Sequence, residues 1–276
     1  MRGRGWMLWA VAVTVTLSSA VWQRLSGPTY PVRGAVRLGA DEIGLRLTRS
    51  HGGDGDHPVR VRVADEEVTG EVAWRRYPTK ETWHRLGMAR DGEWLVAALP
   101  HQPPAGKLEY QVRLHRGADA AVFPERPAVT RFKGSVPAAI LIPHIFAMFV
   151  GMLVSNRAGL EALAGGPAQG RLAAVALALL GVGGLLLGPA VQKAAFDAWW
   201  TGWPFGHDLT DNKTAVVVLA WAWAAWRAKS GRGARGALLV ASLVTLAVFA
   251  IPHSTWGSEL RWDEVAAPGS PGVSAR

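Results

Sequence analysis

A chain of 276 residues has room for two domains, and its 49% hydrophobic content, 14 Trp and only 18% charged residues point away from an ordinary soluble enzyme. The net charge of +9 is carried largely by basic residues beside apolar runs, with no nucleic-acid-binding motif to accompany it. With no Cys, the chain alone builds no disulfide, c-type haem attachment, thiolate metal site or iron–sulfur cluster.

The first apolar run, Gly5 to Gln23, follows Arg2 and Arg4 and contains no Asp, Glu, Lys or Arg. It reads either as an uncleaved transmembrane anchor or as a secretory signal cut near Ser18-Ser19-Ala20, and both readings export the segment that follows. Residues 1–27 are therefore assigned to an N-terminal anchor or signal.

Residues 28–135 read as an exported β-sandwich. "PVRVRV" and "YQVRLHR" alternate apolar and polar side chains with period two, and Gly, Pro and Asp clusters separate the runs. Seven or eight strands at this spacing suggest an immunoglobulin-like or fibronectin-like domain, whose fold by itself assigns no activity. The segment "LPHQPPAGKLEYQVRL" resembles a tyrosine corner, with Tyr110 as its tyrosine.

Three further charge-free runs, Gly134–Asn156, Leu172–Gln192 and Gly236–Ser258, are near the ~20 residues that span a bilayer. A shorter run, Thr214–Trp226, is flanked by Lys213, Arg227 and Lys229, whose stems can snorkel to the interfaces. The expected fold class is thus an α-helical integral membrane protein of about five transmembrane helices, with the β-sandwich inserted between the first and second. Residues 136–256 form a four-helix transmembrane domain with an outer loop at 191–212, and residues 257–276 form an outer, partly disordered tail. Basic residues at Arg157, Arg171, Arg227, Lys229, Arg232 and Arg235 place those connections in the cytoplasm. The compartment expected is a bacterial inner membrane, with the N-terminus inside and the β domain and C-terminus outside.

Chemistry-bearing residues collect on the outer side. His144 lies in the second run after Pro143, and His253 closes the last run after Pro252. An imidazole in an apolar span needs a partner or ligand. Between them comes "FDAWWTGWPFGHDLTDNKT", with Trp199, Trp200, Trp203, His207, Asp208 and Asp211. The plainer readings are an aromatic belt at the membrane boundary and a helix N-cap at Thr210 or Asp211. Met148 and Met152, spaced i and i+4, read as core filling or as a soft copper ladder. Asp208, Asp211, Asn212 and Glu259 offer oxygens to a hard cation. No GxSxG, GxxxxGK[ST] or HExxH pattern occurs.

The order outer His, two spans, Trp-rich outer loop, two spans, outer His resembles the tryptophan-rich haem-handling membrane proteins of cytochrome c maturation, the WWD proteins. That resemblance implies haem b held between His144 and His253 as axial ligands, with Trp199, Trp200 and Trp203 as an aromatic platform. For a haem so held, Phe205 would add an aromatic face, Lys193, Lys213 or the N-terminus of the fourth span would meet the propionates, Asp208 or Asp211 would orient a ligating imidazole, and His207 is an alternative ligand. Without haem, the same side chains would take another metal ion, or nothing. Two functions follow: an outer-face haem- or metal-binding protein in redox or cofactor handling, or a non-catalytic accessory subunit or assembly factor of an electron-transfer complex. The expected partners are membrane lipids and proteins of a membrane complex, with no nucleic acid. The glycines at 181, 183, 184 and 188 suit close helix packing in either case.

Overall fold

The computed structural model describes residues 2–231, 233–252, 260 and 262. They divide into two compact units, one helical (2–28, 136–194 and 198–252) and one of strands (29–135, with 195–197, 260 and 262).

The strand unit contains β1 (Val32–Leu38), β2 (Asp41–Leu47), β3 (Ser50–Gly52), β4 (His57–Arg62), β5 (Thr69–Arg76), β6 (His84–Gly87), β7 (Ala89–Asp91), β8 (Trp94–Leu99), β9 (Lys107–Arg116) and β10 (Asp119–Lys133). In β4 the expected alternation is realised: His57, Val59 and Val61 face inward while Pro58, Arg60 and Arg62 face out. Gly39 opens the β1–β2 turn at φ 63° and Gly117 the β9–β10 turn at φ 57°, the left-handed backbone that short hairpin loops demand. Inward side chains from many strands, among them Leu47, Val61, Val72, Leu99, Leu108, Tyr110 and Phe132, form one core. Trp262 belongs to this unit, where its indole N–H donates to the Tyr77 carbonyl at 3.1 Å and the Arg76 guanidinium lies 4.9 Å from its ring.

The helical unit contains α1 (Arg2–Ser26), α2 (Ala138–Leu163), α3 (Gln169–Gly181), a π-helical turn (Val182–Leu187), α4 (Gly188–Phe196), α5 (Leu209–Lys229) and α6 (Arg235–Ala250). Its core is built of small and branched residues, with Ala158, Ala162, Ala173, Ala176 and Ala241 set around the fully buried Trp221, whose Nε1–H donates to Thr245 Oγ1 at 2.9 Å. Alanine at these contacts lets helix axes approach closely.

The expected fold class requires correction on two counts. Among the described residues, three helical segments are long and apolar enough to cross a membrane, Gly5–Ser26, Ala138–Leu163 and Gln169–Phe196, rather than about five. Helix α5 carries Asp211, Lys213, Arg227 and Lys229 within one 21-residue helix, and α6 has only 16 residues. The strand unit, moreover, is not a two-sheet antiparallel sandwich. Its ten strands form separate sheets of two (β1-β2), five (β3-β10-β9-β5-β6) and three (β4-β8-β7), and β3 runs parallel to β10, so the sheets are mixed. Periodicity reports which face of a strand is buried; it does not report which strand lies beside it, and that is where the expectation failed.

Candidate functional site

Helix α2 runs through Pro143, which lies near its start, and presents the half-buried His144 to the π-helical turn. There the Gly188 amide reaches back five residues to the Gly183 carbonyl, the hydrogen bond that defines a π turn. The same carbonyl lies 2.9 Å from His144 Nδ1. A carbonyl only accepts, so Nδ1 carries a proton, and the neutral tautomer this contact selects has its lone pair on Nε2. This is the arrangement by which proteins fix the tautomer of a ligating imidazole.

Glycine at the turn is dictated by crowding. A Cβ on Gly183 would lie 2.9 Å from both the Ala147 Cβ and the Met148 sulfur, and one on Gly184 would lie 2.5 Å from the Thr214 methyl. Met148 also lines a cavity of about 20 Å³ with Leu180, Thr210, Lys213 and Thr214. Such a space admits about one water, so a haem would have to lie outside it.

The Trp-rich loop is a folded object. Asp208 caps α5, its Oδ1 accepting the Thr210 amide at 2.7 Å. Asp211, one turn into α5 and buried, turns Oδ2 back on the loop and accepts the amides of Thr201 at 2.6 Å and Gly202 at 3.0 Å and the side-chain amide of Gln192 at 3.2 Å. Asn212 Oδ1 accepts the Trp203 amide at 2.7 Å, and Gly202 O accepts the amides of Phe205 and Gly206 at 2.9 Å each. Lys213 is buried and donates to the Ile251 carbonyl at 3.0 Å, which ties the start of α5 to the end of α6. The polar residues thus hold the loop from within. Its aromatic residues point away: Trp199, Trp203 and Phe205 are 61%, 75% and 81% exposed. Trp200 is half-buried and its indole N–H donates to the Trp203 carbonyl at 3.2 Å; His207 is exposed.

The residues expected to form the site are therefore distributed as follows. His144 has its Nδ1 fixed, while Asp208 and Asp211 are engaged by backbone amides of the loop and of α5. His253 and Glu259 lie outside the described residues. Among the described residues no three His, Asp or Glu side chains converge on a common point as metal ligands would. Met152 is buried in the helical unit, at 1% exposure. Sequence reasoning missed Gln192, Thr201 and the Gly183 carbonyl. The Gly183-Gly184 pair marked a close approach, but no residue pattern marks a π turn.

No family model matches the chain, and no curated protein matches it. Among solved structures, the chicken CNTN1 FN1–FN3 domains are similar to it at 13% identity and a TM-score of 0.22, over 33% of this chain and 37% of that one.

Proposed function

We propose that the helical unit holds a haem or another metal at an outer membrane face and serves in redox or cofactor handling. The observation that carries this reading is the hydrogen bond from His144 Nδ1 to Gly183 O, because it orients the ring and turns Nε2 toward a ligand within the charge-free run Gly134–Asn156. Haem b would be held by the His144 imidazole, with His253, outside the described residues, as the second ligand that the resemblance implies, and Trp199 and Trp203 would offer exposed faces to it. Bound there, haem would supply one-electron chemistry; His144 would hold the iron and the clamped loop would shield one edge from water. Absorption spectra of the detergent-purified protein, oxidised and dithionite-reduced, with metal analysis of the same sample, test this. A b-type difference signal near one haem per chain that disappears in His144→Leu supports it. A colourless, metal-free protein overturns it.

A second reading is favoured by a different observation. Asp211 and Asn212 hold the loop rigid while Trp199, Trp203 and Phe205 stay exposed, as suits an anchor side chain on a docking surface. On this reading the chain is a non-catalytic accessory subunit or assembly factor of a larger membrane complex. Cross-linking from position 203 in native membranes tests it: a single protein adduct supports it, and lipid adducts alone overturn it.

A further inference from the structure

The basic end of the helical unit holds a second polar site, farther along α2 from His144. The Arg157 side chain is 8% exposed, and its Nη1 lies 2.8 Å from Glu161 Oε2 without the alignment of a hydrogen bond. Nε has no hydrogen-bond partner. Glu161 is committed elsewhere as well, since its Oε1 accepts the Ala168 amide at 2.9 Å and so closes the connection between α2 and α3. The guanidinium carbon lies 5.6 Å from the centroid of the Trp9 ring of α1. A buried guanidinium N–H without an acceptor is costly, and the group is built for flat, oxygen-rich anions.

An open apolar groove lies along α1 and α2. It is lined by Val13, Thr16, Leu17, Phe149, Val150 and Leu153. Helical spacing aligns it with the arginine, because Phe149, Leu153 and Arg157 follow one another at i, i+4 and i+8 on α2, as do Leu17, Val13 and Trp9 in reverse along α1. The one polar lining residue, Thr16, donates its hydroxyl proton to Ala12 O at 2.7 Å and accepts from Asn156 Nδ2 at 2.9 Å, so the wall offers no polar group to a ligand. An apolar floor with a guanidinium one helical turn beyond it, ion-paired to Glu161 but with Nε unmet, is the complement of a phospholipid.

We propose that this groove binds one anionic phospholipid, its acyl chain between α1 and α2 and its phosphate on Arg157 beside Trp9. Charge complementarity favours this occupant over an apolar helix, which would leave Nε unmet. Arg235, which donates to the Leu163 carbonyl at 3.3 Å, adds a further cation at the same end of α2. Arg171 in the first turn of α3 and Arg227 in the last turn of α5 add to it, and an anionic leaflet is the surface that such a basic end would face. The proposal rests on α1 and α2 lying in a membrane and is independent of any haem.

The full chain, reconstituted in lipid nanodiscs containing phosphatidylcholine and phosphatidylglycerol, provides the test by native mass spectrometry of the lipid retained after release. The wild type is expected to keep phosphatidylglycerol over phosphatidylcholine by about fivefold, the ratio corresponding to ~1 kcal/mol per basic residue near an anionic headgroup. Arg157→Gln should bring the ratio to parity. Val13→Trp, which fills the groove and leaves the arginine in place, should abolish retention of both lipids, and this variant guards against misfolding caused by loss of the Arg157–Glu161 ion pair. Equal ratios in wild type and Arg157→Gln overturn the proposal, as does full displacement of lipid by inorganic phosphate, which would mark a simple phosphate site. Carbonate washing of native membranes separates the two levels: release of the chain sinks the membrane reading itself, whereas a membrane-retained chain without lipid preference sinks this proposal alone.

Discussion

The carboxylate of Asp211 accepts the backbone amide of Thr201 at 2.6 Å across ten residues of chain, and the Gly202 amide meets the same oxygen at 3.0 Å. One buried acceptor thereby fixes the middle of the aromatic loop to the first turn of α5. Asp211→Ala leaves two buried amides without an acceptor, a loss of about 2–3 kcal/mol for hydrogen bonds to a charged group. Hydrogen exchange in the 199–207 peptide should accelerate accordingly. Asp211→Asn, which keeps one oxygen, should recover part of the protection. Unchanged exchange in the alanine variant would mean that the loop is held by other contacts.

The glycines at the π turn make a steric prediction. A Cβ at Gly184 meets the Thr214 methyl at 2.5 Å, well inside contact distance, so Gly184→Ala should lower the thermal midpoint by an amount corresponding to about 1–3 kcal/mol of overpacking. Thr214→Ser removes only that methyl. The double variant should recover most of the loss, and a double variant no more stable than Gly184→Ala would place the strain in the turn's own backbone.

Which features were legible follows from what a sequence encodes locally. The charge-free runs marked α1, α2 and the long α3–π–α4 segment because hydrocarbon tolerates no free charge over twenty residues. The same criterion fails at α5: Lys213, expected to snorkel to the interface, is instead buried and bonded to Ile251 O. A helix start was readable in this stretch, but the cap is Asp208 rather than the expected Thr210 or Asp211, whose amides it accepts instead. The Asp211 clamp was not, because its partners become neighbours only once the loop has folded back. His144 could be singled out as costly in an apolar run, but its partner, Gly183 O, belongs to a turn that no residue type specifies.

Tyr110 gives a prediction from a corrected expectation. In a tyrosine corner the hydroxyl bonds a few residues upstream. Here the fully buried Tyr110 donates to the Thr48 carbonyl at 2.7 Å, 62 residues away, and so links β9 to the segment between β2 and β3. Burial accordingly raises the phenol pKa far above its usual value. Tyr110→Phe keeps the ring and leaves the Thr48 carbonyl unmet, at a cost of about 1–2 kcal/mol in urea denaturation. A loss near zero would show that the carbonyl finds another donor.

His57 gives the strand unit an acid sensitivity whose direction can be worked out. It is 1% exposed, with Nε2 at 2.7 Å from Thr48 Oγ1 and Nδ1 at 3.0 Å from Thr130 Oγ1. Burial foremost, and then electrostatic interaction with His51, whose ring lies 5.1 Å away, together lower its pKa from 6.5 to about 4. The unfolded chain thus takes up a proton near pH 6.5 and the folded one only near pH 4. Below 6.5 the unfolded state binds more protons, so the stability contributed by neutral His57 is complete above pH 6.5 and is lost as pH falls toward 4. At about 1.4 kcal/mol per pH unit the whole effect is about 3 kcal/mol. His57→Gln keeps a polar side chain at the site but cannot titrate, so the difference in urea midpoint between wild type and this variant should be flat from pH 8 to about 6.5 and should shift in favour of the variant below that. Parallel pH profiles for the two proteins would show that the imidazole is charged in the fold, and the two threonine hydroxyls would then have to act as acceptors to a buried cation.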